Sequence, residues 1–214
     1  SQRGERSGRC GGGAGHVRGR CCGVIAQLEE TDAATEFFEL IVEPAIAEYD
    51  DAENVLTDAT VNGIGSPDDA RALVLRRART ASIELHQFTD RVLASAPRWS
   101  RGSKIDQIRD WLRTGFVRRV NGQPVDDLAI LHDVADAFKH AQLTRKAWFL
   151  ETDRAVIRTA TGFGRLSCGE GKFGGAEQVI VELLDGRQRA LSLILWTVRD
   201  AWAAAMGKPR RLFT

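Results

Sequence analysis

Cysteine is scarce where a fold would use it. Of the four cysteines, Cys10, Cys21 and Cys22 crowd the first 22 residues, and only Cys168 lies beyond them. A body with one thiol holds no internal disulfide, which suits a reducing compartment and an expected cytoplasmic location. Long apolar runs are also missing. No stretch approaches the 18 or more residues of a membrane span, so no membrane association is expected. Charge of one sign is lacking too: the chain carries a net +1. That balance argues against a broad nucleic-acid surface, though it leaves room for a local basic stripe. Several motifs are absent as well: no nucleophile elbow, no H-E-x-x-H pair, no Walker-type loop and no paired C-x₂-C. No cofactor is therefore expected on motif grounds.

What is present is unevenly placed. Residues 1–23 hold eight glycines, and five arginines against one glutamate, a net +4. The remaining chain is then −3, mildly acidic. The first segment cannot bury enough apolar surface to offset its chain entropy, so disorder is expected over residues 1–23. Val24 is the expected native start, with the preceding residues derived from upstream read-through or from expression. Cys10, His16, Cys21 and Cys22 could number four zinc ligands, but they lack the paired knuckle spacing. A single domain is expected over 24–207, helical over 24–146 and hairpin plus helix over 147–207. A short basic tail, 208–214, follows it.

Apolar periodicity predicts five helices. The first spans 31–53, with Phe37, Phe38, Ile41, Val42, Ala45, Ile46 and Tyr49 on one side. Pro44 sits inside it and predicts a kink, or a break at Glu43. Residues 54–65, containing Asn62-Gly63 and Gly65, read as a loop. The second helix starts at the Ser66 cap with Pro67, Asp68 and Asp69, and stops before Pro97. Ser103 is the expected cap of the third. The fourth runs over about 126–143, and the last over 192–206.

Between the last two, residues 154–161 and 177–184 read as strands. Asp185-Gly186 predicts a two-residue hairpin turn at positive φ, returning through 187–191. The expected class is α+β, mainly α: a four-helix N-terminal bundle, then a small antiparallel sheet and a closing helix.

Chemistry is sought first in Asp127–Leu143. There His132, Asp136 and His140 recur at i, i+4. At about 100° per residue, with Leu128 at zero, His132 falls near 40°, Asp136 near 80° and Lys139 near 20°. These border the apolar stripe, where a cleft would place functional groups. His140, at about 120°, and Asp133, at about 140°, point further outward. A histidine base oriented by a carboxylate, or two metal ligands completed from another helix, would use such a row. His132, Asp136, Lys139 and His140 are the candidate catalytic residues. A solvated face with ordinary His–Asp pairs uses the same spacing.

Arg79 and His86, seven apart on the second helix, form another candidate pair. The spacing R-x₆-H resembles the motif of the HEPN family of small helical bundles, many of them ribonucleases. The resemblance implies an arginine and a histidine acting on the ribose hydroxyl and the phosphate. It covers two residues. The polar residue after the arginine is Thr80 at best, the helix comes early, and a C-terminal hairpin lies outside the family design.

Gly169–Gly174 spells G-x-G-x-x-G but precedes a strand, which contradicts a dinucleotide fingerprint. Lys172 and Cys168 share that glycine-rich loop. Arg71, Arg76, Arg77 and Arg79 form a basic run with Arg118 and Arg119 in reserve, which could bind phosphates.

With five tryptophans in the chain, aromatics spare to the core point to an interface. The preferred expectation is a small bacterial-type interaction protein without catalysis, with a protein partner or a second copy of itself; nucleic acid is not favoured. The alternative is an enzyme, HEPN-like ribonuclease or helical metalloenzyme, using His132, Asp136 and His140 or Arg79 and His86.

Overall fold

A hydrogen-bonded cap starts the first helix. Asp32 accepts the Ala34 and Thr35 N–H groups at 3.0 Å, and α1 (Ala33–Phe37) follows. The computed structural model describes residues 32–120, 122–140, 148–150, 157–161 and 176–209. The cysteine-rich segment, Cys168, Lys172 and the glycine loop lie outside them, as do most of the basic C-terminal tail and the first three residues of the strand expected over 154–161.

Pro44 does not break its helix. A π-helical segment, Phe38–Val42, joins α1 to α2 (Glu43–Val61), and helical dihedrals run through the junctions. Proline cannot donate and crowds the carbonyl four residues back. The wider turn answers this, with the Glu43 N–H reaching Phe38 O five residues back. The loop expected over 54–65 is a correction: residues up to Val61 are helical. Leu56 and Ala59 continue the buried stripe of Tyr49 and Ala52, and that burial outweighs the turn-forming residues until Asn62. There the helix closes, with the Asn62 and Ile64 N–H groups both on Asp58 O and Gly63 at φ +69°.

Helix α3 (Pro67–Ser95) starts at Ser66, whose hydroxyl accepts the Asp69 N–H, and ends at a left-handed Ala96 before Pro97. Helix α4 (Ile105–Gly115) corrects the expected cap. Lys104 holds the cap position, and Ser103 instead gives its N–H and hydroxyl to the Gln107 side chain. A two-residue antiparallel pair, β1 (Arg119–Val120) and β2 (Gln123–Pro124), turns through Gly122 at φ +78°. Helix α5 spans Asp127–Lys139 and stops at an extended His140, shorter than the expected 126–143.

The main sheet is an antiparallel meander, β3 (Ile157–Thr161), β4 (Glu177–Glu182) and β5 (Gln188–Ala190), in that spatial order. The chain reverses at Asp185-Gly186, but through a three-residue loop, Leu184–Gly186, rather than the expected two-residue turn: the Leu183 N–H donates to Arg187 O at 2.8 Å, and only Gly186 has positive φ, at +81°. The chain passes directly into α6 (Leu191–Ala205). The architecture is α+β and mainly α.

Burial explains this order. Trp202 of α6 meets Phe88 of α3 edge-on at 4.9 Å, and Phe88 meets Phe38 at 5.1 Å. These rings, all fully buried, tie the first and last described helices to α3. Two polar ties are enclosed. The Tyr49 hydroxyl donates to Glu53 at 2.6 Å, and burial followed by the Glu53 charge pushes that phenol well above its usual range. Arg189 of β5 pairs with the buried Asp127 at 2.9 Å, fastening the start of α5 to the sheet.

Candidate functional site

Helix α5 packs against α3, and that contact decides which polar groups meet. His132 and Asp136 stand one turn apart on α5. Across from them, α3 contributes His86. The two imidazoles stack with centroids 4.7 Å apart and planes 23° apart. One donor atom from each of His86, His132 and Asp136 lies within 4.8 Å of the others. All three side chains are half-buried.

The electrostatics favour neutral imidazole. The pKa of His86 is held down to about 3, first by burial, then by the positive charge His132 would carry, and by Lys139 and Arg109. Asp136 opposes this and is outweighed. A neutral ring keeps a lone pair for a proton or a metal.

His132 links this cluster to a cavity of about 270 Å³ between α4, α5 and Trp148. Its walls include Arg109, Asp106 and Asp110 from α4, with Leu128 and Ala129 from α5. Trp148 meets His132 edge-on at 5.9 Å and is 61% exposed. The cavity thus has an aromatic rim, both signs of charge, and a histidine in its wall.

The predicted site residues separate. His132 and Asp136 come together, and Lys139 acts electrostatically on His86. His140 is exposed at the end of α5 and is not among the three clustered groups. Asp133 corrects the wheel: it is fully buried, not outward. Its carboxylate accepts the Trp148 and Phe149 N–H groups at 2.7 Å each. The outer side of α5 is therefore covered by the 148–150 segment, which the apolar stripe alone could not reveal.

Arg79 and His86 part company. Arg79 is exposed and lines a different cavity, while His86 turns inward and is half-buried. Of the basic run, Arg71 pairs with Glu177 and Asp68, and Arg77 with Glu48.

Tryptophan also reads differently in three dimensions. Trp202 is core, and Trp99, Trp111 and Trp196 pack against it half-buried. Trp99 donates to Asp32 at 2.8 Å and Trp196 to Asp50 at 3.1 Å. The surplus that suggested an interface reduces to Trp148.

Sequence spacing missed the junction of His86 with His132. The two lie 46 positions apart, and only the packing of α3 on α5 joins them. Arg109 and Trp148 carry no motif either. Among the described residues no helix is long and apolar enough to cross a membrane. No family model, curated protein or solved structure matches this chain.

Proposed function

We propose that the protein is a metal-dependent enzyme of the helical type, with His86, His132 and Asp136 as ligands of one divalent transition metal. The observation that carries this reading is the gathering of two imidazoles and a carboxylate, from two helices, within 4.8 Å. Two nitrogens and one oxygen suit zinc, iron or cobalt and leave coordination positions open. Bonds of about 2.0–2.2 Å would set such donors about 3.3 Å apart, so binding asks for a small inward side-chain rotation.

A bound metal would supply Lewis acidity and an acidified water, the chemistry of hydrolysis or hydration. The chain's own groups supply the rest. His132 faces both the cluster and the cavity, so substrate enters from the α4 side. Arg109 offers a guanidinium in the cavity wall for a substrate oxyanion. Trp148 covers one side of His132 and limits water there.

A metal-free reading has one observation in its favour. Lys139 and Arg109 lie close enough to His86 to lower its pKa, and cations oppose a bound cation. Two histidines beside a cation can instead act as acid and base on a phosphate or acyl group.

Calorimetric titration with zinc separates the two. The metal reading predicts one site per chain, weakened at least tenfold in His86→Ala and in Asp136→Asn. Absence of saturable binding in protein freed of metal by chelation would overturn it and leave the acid–base reading.

A further inference from the structure

Two arginines of α3 have no partner among the described residues, and both border one apolar cavity. Arg71 and Arg77 are held in ion pairs. Arg76 and Arg79 are exposed and three residues apart, so their guanidinium groups share one side of the helix. They line a cavity of about 310 Å³ between α3, α5 and β3. The rest of its lining is Leu75, Ala137, Phe138 and Ile157. Ala137 and Ile157 are buried, and Leu75 and Phe138 half-buried. An apolar floor under two cations has a definite chemical complement.

We infer that this cavity binds a small amphiphilic anion, its carboxylate or phosphate head on Arg76 and Arg79 and its apolar body against Leu75, Phe138 and Ile157. Guanidinium groups suit the head because each offers a planar fork of donors that matches two oxygens. The volume lies at the small end of the roughly 300–1,000 Å³ common for ligand pockets. It admits one chain of medium length or one aromatic ring, and excludes a two-chain lipid.

This site is independent of the histidine cluster. It is lined by Ala137 and Phe138 of α5, whereas the other cavity is lined by Leu128, Ala129 and His132. It also gives Arg79 a role apart from His86.

Titration of the full chain with hexanoate, octanoate and decanoate, followed by calorimetry, tests the inference. One ligand per chain is expected, tightening by roughly fourfold per added methylene until the cavity is filled. Arg76→Gln/Arg79→Gln, an exposed double substitution, should weaken octanoate at least tenfold with an unchanged melting temperature. Octanol should bind the wild type as weakly as octanoate binds the double variant. Equal octanoate affinity in wild type and double variant, or no saturable binding of any of the three acids, would overturn the inference.

Discussion

Asp133 and Asp136 stand three residues apart on α5 and have opposite surroundings. Asp133 is fully buried and accepts two backbone N–H groups at 2.7 Å. Asp136 is half-buried beside two histidines, next to a cavity wall. The first carboxylate holds a chain segment through one oxygen, which accepts both N–H groups. The second sits beside one histidine from each of two helices. A buried charge with fixed hydrogen bonds is a structural joint, and a half-buried cluster of titratable groups is where chemistry is affordable.

Asp133→Ala is the substitution expected to cost most. It strands two amides and empties a charge site, for a loss of about 3 kcal/mol or more of unfolding free energy. Urea denaturation measures it. A loss below about 1 kcal/mol would erase the contrast, because the joint would then be no stronger than a surface contact.

Asp32 offers an intermediate case. Partial burial alone would raise its pKa, but hydrogen bonds from the Thr35 N–H, Trp99 indole, Thr35 hydroxyl and Ala34 N–H hold it below the ordinary value. The folded form therefore favours the carboxylate. Its contribution is complete above the unfolded pKa of about 3.9 and fades as pH falls through the lower folded value. Asp32→Ala should cost about 1–2 kcal/mol at pH 7, and the cost should shrink in acid. Stability curves at several pH values check both statements, and a cost that grows in acid would reverse the sign argued here.

Asp136→Asn should change least in the absence of metal, by under about 0.5 kcal/mol. Its effect belongs to binding. Zinc in excess should raise the melting temperature of the wild type and leave that of Asp136→Asn nearly unmoved. If Asp136→Asn proves as destabilising as Asp133→Ala, both carboxylates are structural.

The sequence was most legible where local chemistry settles structure. Ser66-Pro67 opens α3, Ala96-Pro97 ends it, and Asp185-Gly186 turns the hairpin, each through backbone constraints that act within a few residues. Legibility failed where a distant element decides. Residues 54–61 hold turn-prone neighbours and are helical because Leu56 and Ala59 find a core. Asp133 looked exposed because the helical wheel knows nothing of the segment that closes over it. The candidate site was half visible: periodicity set His132 beside Asp136. His86 was noted for its spacing to Arg79, yet its neighbour is a histidine 46 positions on. Helix packing, unlike helix periodicity, leaves no local mark.

The most direct test of the metal centre uses cobalt as a visible probe. Stoichiometric cobalt should give the intense visible absorption of a four- or five-coordinate site, lost in His132→Gln, while the fold stays intact by circular dichroism. A spectrum no stronger than that of cobalt in water, in wild-type protein confirmed free of other metals, would contradict the assignment of His86, His132 and Asp136 to one centre.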